Sequence, residues 1–483
     1  MTYTAVLLIC AVTLALAFWG LRLRRTAGDF YVASRRVSPW MNAAAIAGEY
    51  LSAASFLGVI GLIVSVGALG LWPPLGYAAG FVMLLVFVAA PLRRSGAYTL
   101  PDFMMLRFRS AALRRITALV VVVLGWFYVV PQLHGAALVT GFATSLPGWT
   151  GAAVVVGLVL AVVLSGGMRS VTLAQAVQYW IKLTALLIPA IFIALRWDSV
   201  QHTASGGGAG SASGAITSLS EQLPGDPLVV FSLVLALSLG ALGLPHVLVR
   251  FYTNPDGASA RSTVTVLLAL LGLFYLITVF LGVTAALVLP DDDAAADADT
   301  ALLQLPAVLF DPVASDVLLA LLVAGAFAAF LSTASGLVVS VSAVVSQELF
   351  GGSVAGFRWG AVIAVVVPVL LTVMTASLGL AGAVAMVFTM AASTVAPVML
   401  LGIWWQRMNA AGAVAAMLTG GSASTAALLS GILFFGSEAP VLLAYPGVWS
   451  IPLAFCVAVT VSLATAPMPS AAAVVARLHL PEG

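Results

Sequence analysis

The chain has 483 residues, 62% of them hydrophobic and only 7% charged, with a formal net charge of +2 and a mean hydropathy of +1.15. So few charges exclude a water-soluble globular enzyme, and the near-balance of sign gives no footing for a nucleic-acid partner; the composition is that of a polytopic bilayer protein. Cys10 and Cys456 both fall in apolar stretches, which argues for inert buried thiols rather than a disulfide framework.

Thirteen membrane spans are expected, over 4–22, 39–65, 68–92, 115–144, 149–166, 171–195, 227–250, 263–289, 315–344, 359–377, 379–404, 410–435 and 443–466. The first has the apolar core of a signal peptide. Its positive charges (Arg22, Arg24, Arg25) follow that core instead of preceding it, so an uncleaved helix with its N-terminus outside is expected. With that orientation 17 of the 19 cations fall in cytoplasmic loops or the tail, leaving Arg196 outside and Lys182 within a span. The acidic run Asp291, Asp292, Asp293, Asp297 and Asp299 falls outside. That is the positive-inside pattern of a multi-pass protein of the cell membrane with a cytoplasmic C-terminus.

Residues 43–62, AAAIAGEYLSAASFLGVIGL, interrupt the second span with Glu49, Tyr50 and Ser52. An ionisable group at membrane depth is costly and faces a cavity, a partner or a pathway. The small residues around it (Ala44, Ala45, Ala47, Gly48, Ala53, Ala54) let helices approach and make a local unwinding cheap. An unwound turn exposes carbonyls and amides to ions, so this stretch reads as the broken helix of a secondary transporter. The half-helix amides around Tyr50–Ser52 favour an anion, and Ser52 and Ser55 add hydroxyl donors. Tyr50, Phe56, Trp126 and Tyr128 are candidate pocket walls, with helix packing as the alternative for each. Gln132 beside Pro131 makes a further polar break, and His134 reads best as a packing histidine.

Lys182, the one lysine of the chain, has two readings: a functional charge or a snorkelling side chain. Glu49 either carries a proton, holds the broken helix, or pairs with a cation such as Lys182 or a cytoplasmic arginine. Arg250 and Asp102 are expected to brace the cytoplasmic face. The Gly/Ser-rich loop 197–226 divides five spans from five more. An odd number per half makes the second set enter from the opposite side, the arithmetic of an inverted repeat. The expected divisions are 1–37 (first helix and loop), 38–196 (first repeat), 197–226 (external loop), 227–405 (second repeat) and 406–483 (two helices and a tail).

The second repeat should hold its own interrupted helix, for which 321–346 is the best candidate because Ser332, Thr333, Ser335, Ser340 and Ser342 cluster there. Such hydroxyls commonly bond their own helix backbone. The carbonyl of Ala329 and the hydroxyl of Ser332 nevertheless share one face, one turn apart, and offer uncharged oxygens to an alkali cation.

AGEYLSAASFLGVIG (47–61), RRSGAYTLPDFMMLRF (93–108), GGMRSVTLAQAVQ (166–178), LPHVLVRFYTNPD (244–256), AAFLSTASGLVVSVSAVVSQELF (328–350) and AASTVAPVMLLGIWW (391–405), with DFYVASRR (29–36), resemble the sodium/solute symporter family. The resemblance is to its acetate, or monocarboxylate, permease branch. It implies an all-α, leucine-transporter-like fold with a five-plus-five inverted-repeat core. It also implies a sodium site formed by the carbonyls of Gly48, Leu51 and Ala329 and the hydroxyls of Ser332 and Thr333. Gln175 stands where members with a second sodium carry an aspartate, which implies one coupling ion.

The sequence holds no GxxxxGK[ST] loop, no HExxH and no cysteine–histidine cluster. Gradient-driven transport of a small organic anion is therefore expected, with no nucleotide, organic cofactor or transition metal, and with sodium or a proton as the coupling ion. A same-fold symporter for proline, pantothenate or another acid is the nearest alternative. A transporter-derived sensor and a membrane-embedded enzyme are the more distant ones.

Overall fold

The computed structural model describes residues 1–23, 37–204, 226–289, 298–374, 379–468 and 471–480. The DFYVASRR stretch, most of the Gly/Ser-rich loop and Asp291, Asp292, Asp293 and Asp297 lie outside the described residues. Everything regular among the described residues is helical.

The elements run α1 (Thr2–Leu23), α2 (Pro39–Tyr50), α3 (54–66), α4 (72–95), α5 (Leu100–Phe108), α6 (Ala111–Ala143), α7 (Trp149–Leu195), α8 (Trp197–Ala204), α9 (Pro227–Ala241), α10 (Pro245–Phe251), α11 (Gly257–Val288), α12 (Ala301–Leu309), α13 (Pro312–Leu349), α14 (Val354–Met374), α15 (Leu380–Trp404), α16 (Ala410–Ser430), α17 (Gly447–Ala464) and α18 (Ala471–His479). Starts are marked chemically. Asp311 accepts from the Ala314 amide with Pro312 next in line, Asp256 accepts from Ser259 N, and Thr99 and Asp102 cap each other's amides.

Nine helices among the described residues are long and apolar enough to cross a membrane, or ten if the bent pair α9–α10 is one span. That measure takes 54–95 as one length. The chain nonetheless turns inside it at Gly67 (φ +60°), and Gly70 comes so close that a Cβ would lie 2.6 Å from the Ile63 amide nitrogen. It also leaves the apolar stretches Thr2–Leu16 and Trp149–Ser165 as short helices. The expected spans 149–166 and 171–195 form one helical run, α7, whose length of roughly 70 Å is about twice a hydrocarbon core.

Long, buried α13 sits at the centre, with α1, α2, α6, α7 and α14 packed around it. It corrects one expectation. Residues 321–346 are continuous helix, and the interruption in the second half falls instead at Leu242–Leu244, between α9 and α10. Ser332 and Ser342 do not break it because their hydroxyls bond their own turn, Ser332 to Ala329 O at 3.0 Å and Ser342 to Val338 O. Gly240, Gly243 and Pro245 make the real break: Pro245 restarts the helix at its first position, and the two glycines lie against the backbone of α15.

Candidate functional site

The first break is sharp. Leu51 leaves helical geometry (φ −73°, ψ 84°) although its amide still bonds Ala47 O, and the helix resumes with Phe56 N donating to Ser52 O at 3.0 Å. In an unbroken helix the carbonyls of Gly48, Glu49 and Leu51 would accept from the amides of Ser52, Ala53 and Ser55. Here neighbouring helices serve them. Thr333 Oγ1 of α13 donates to Glu49 O at 2.6 Å, and the Ala53 amide donates to Gln132 Oε1 of α6 at 3.0 Å. A break buried in apolar surroundings survives only when its orphaned groups are paired in this way.

The other two carbonyls belong to Lys182. Its side chain, on α7, is fully buried, and Nζ donates to Gly48 O (2.5 Å), Leu51 O (2.7 Å) and Ser332 Oγ (3.0 Å). An ammonium has three donors, and all three are used. Ser332 in turn donates to Ala329 O. The five residues expected around a cation are thus brought together. Gly48, Leu51 and Ser332 touch the ammonium, Ala329 O accepts from Ser332, and Thr333 donates to the neighbouring carbonyl of Glu49. The carbonyls of Gly48 and Leu51 close the C-terminal end of α2, the negative end of a helix dipole.

Glu49 pairs with Arg250 of α10, not with Lys182: Arg250 Nε donates to Glu49 Oε2 at 2.6 Å, both side chains being 1% exposed. The same guanidinium donates to Thr172 Oγ1 (2.7 Å) and to Gln175 Oε1, and Gln175 Nε2 donates to Ser332 O at 2.8 Å. Arg250 was expected at the cytoplasmic face; it lies in the core because α10 begins at the second break and is buried along its whole length. Asp102 does sit at a polar face, with Arg114, which also pairs with Glu348. Gly336 has no room for a Cβ, because Glu49 occupies that space.

On the other side of the break the walls are aromatic. The Tyr50 ring stands edge-on to Phe81 (4.6 Å between centroids) and Tyr77 (5.7 Å), while Tyr77 stacks on Tyr275 (5.6 Å) and contacts Phe388 (5.2 Å). Tyr128 stands edge-on to His246 at 5.2 Å, beside a void of about 10 Å³ that Pro245 and Ser340 also line. The hydroxyl of Tyr50 and both ring nitrogens of His246 are buried with no hydrogen-bond partner. Such groups are costly to leave unpaired and ask for a ligand.

Of the sequence-predicted substrate residues, Tyr50, Ser52 and Gln132 meet at the break, and Ser55 joins through Tyr275 OH at 3.0 Å. Phe56 packs against Phe274 and the Gly325 turn of α13 instead. Trp126 donates to Ile363 O, and His134 bonds Thr372 O at 3.0 Å in a packing role. Sequence reasoning missed Tyr77, His246, Tyr275 and Phe388; for His246 the Gly243-Leu244-Pro245 breaker just ahead of it was the available signal.

A family model described as the sodium:solute symporter family matches residues 30–420. The chain is 32% identical over 485 residues to the uncharacterized symporter YwcA of Bacillus subtilis (strain 168), covering 94% of this chain and 93% of that one. It is 31% identical over 468 residues to a monocarboxylic acid transporter of Corynebacterium glutamicum, covering 88% and 84%. A Na+-coupled sialic acid symporter in a substrate-bound outward-open state matches it with a TM-score of 0.75 at 13% identity, over 96% of this chain and 98% of that one. MhsT in complex with L-phenylalanine matches at a TM-score of 0.60 and 14% identity, over 88% and 99%. Mhp1, a nucleobase-cation-symport-1 family transporter in a closed conformation with bromovinylhydantoin bound, matches at 0.56 and 15%, over 93% and 98%. Likenesses at this identity show the leucine-transporter-like fold.

Proposed function

This chain belongs to the sodium:solute symporter family, and we propose that within it the protein imports a small monocarboxylate such as acetate, propionate or pyruvate by cation-coupled alternating access. The observation that carries the reading is the charge at the first break. Lys182 and Arg250 bring two cations and Glu49 one anion, so the buried network holds one positive charge in excess beside unpaired hydroxyl and imidazole groups. A single carboxylate would balance that excess and accept from those donors, and the aromatic walls match a short apolar tail.

The name of the Corynebacterium glutamicum relative supports the same solute class. Each half of the chain begins with a broken helix, α2–α3 and α9–α10, which supports repeats over 38–196 and 227–405 meeting at the site. The chain lies in the cell membrane with its N-terminus outside, in keeping with the distribution of arginine. The family description and the Na+-coupled neighbour favour sodium as the coupling ion, whereas the cage around Lys182 does not.

A competition panel decides the solute. Uptake of labelled acetate into proteoliposomes should fall with excess propionate or pyruvate and be indifferent to proline. Inhibition by proline and not by the carboxylates would overturn the reading in favour of a same-fold amino-acid symporter.

A further inference from the structure

We infer that the cation of this cage is the ammonium of Lys182, a tethered replacement for a sodium ion, and that transport requires no sodium at this site. Uptake of a carboxylate rests on the preceding reading; the occupancy of the cage does not.

Valence and space both favour the ammonium. The cage consists of two backbone carbonyls freed by the break and one hydroxyl, and Nζ stands within hydrogen-bond distance of all three, at 2.5, 2.7 and 3.0 Å. Neither of the two further oxygens implied there has Nζ as a partner: Ala329 O accepts from Ser332, and Thr333 Oγ1 donates to Glu49 O. A sodium ion would therefore have to displace the ammonium from its three oxygens, or sit beside it as a second unscreened positive charge. Nor is the lysine free to withdraw. Its whole side chain is buried between α2, α7 and α13, and the neighbouring carboxylate, Glu49, is held by Arg250. The ammonium also does the mechanical work of an ion there, since it bonds the C-terminal end of α2 to α13 through Ser332.

Sodium binding is measured on the purified full-length protein, with choline replacing sodium at constant ionic strength. The expected result is an unfolding midpoint that is the same in both salts and no saturable binding of labelled sodium. Lys182→Ala should vacate the cage and gain a sodium-dependent rise of about 2–4 °C. Saturable sodium binding by the unaltered protein that Ser332→Ala abolishes would overturn the inference, whether or not Lys182→Ala folds. Counterflow of labelled acetate in sodium-free proteoliposomes separates the two readings. It should proceed at the same rate within about twofold, a difference under 0.5 kcal/mol. Counterflow that appears only with sodium sinks the tethered cation and leaves the carboxylate. Absence of counterflow in either salt, with no sodium bound, sinks the carboxylate and leaves the tethered cation standing.

Discussion

The two helix breaks are built from opposite materials. At Leu51–Ser52 the freed backbone groups are taken up by side chains from three other helices, Lys182, Thr333 and Gln132, and a buried ion pair stands next to them. At Leu242–Leu244 the chain serves itself through tight turns, with Leu242 N donating to Leu239 O (3.1 Å) and Gly243 N to Gly240 O (2.8 Å). Its shape is enforced by contact: a Cβ on Gly240 would lie 2.6 Å from Phe388 O, and one on Gly243 2.5 Å from Ala391 O. One break is clamped by charge and the other by the absence of side chains. The first break holds the ammonium of Lys182, and the second brings Arg250 to Glu49 and sets His246 against Tyr128.

The largest effect is expected where the clamp is ionic. Arg250→Met strands Glu49 as a buried, unpaired carboxylate and should cost about 3–5 kcal/mol, read as loss of monodisperse protein in detergent. Adding Glu49→Gln should restore most of that loss, because what destabilises is the uncompensated charge. Wild-type stability for Arg250→Met alone would show that the first break does not depend on its ion pair. At the second break Gly240→Ala or Gly243→Ala should cost about 1–3 kcal/mol through overpacking. Gly382→Ala, on α15 with open space where the Cβ would go, supplies the control and should be neutral or slightly stabilising in thermal unfolding. Equal effects at all three positions would mean that close approach to α15 does not shape the second break.

The same contrast explains what was legible in the sequence. A carboxylate and a serine inside an apolar run cannot be hidden, so the first break and its small neighbours showed in residues 43–62. The second break carries no polar residue from Leu239 to Pro245, and a glycine required by contact with a helix about 150 positions away looks like any other glycine in a span. Hydroxyl clustering pointed to α13 and overstated the case there, since a serine bonded to its own turn is compatible with straight helix. Lys182 was visible as a lone lysine, and the oxygens of the cage were placed by family resemblance. That the two coincide is a fact of tertiary structure, because α7 reaches α2 from 131 residues away in sequence. An arginine partner for Glu49 was one of the sequence readings, but which cation it takes was out of reach for the same reason, Arg250 lying 201 residues away.

The smallest expected effect tests whether a hydroxyl of α13 matters for its chemistry or for its neighbour. Ser332 and Ser342 lie on one helix, are both fully buried, and both donate to a carbonyl of their own turn. Only Ser332 also accepts from Lys182. Ser342→Ala should therefore fall within about 0.5 kcal/mol of wild type, since removing a back-bonded hydroxyl leaves the helix intact. Ser332→Ala removes one of three acceptors from a buried ammonium and should cost about 1.5–3 kcal/mol in thermal unfolding, the range for a hydrogen bond to a charged group. If the two substitutions cost the same, the ammonium does not depend on its third oxygen, and the charge clamp at the first break reduces to two carbonyls.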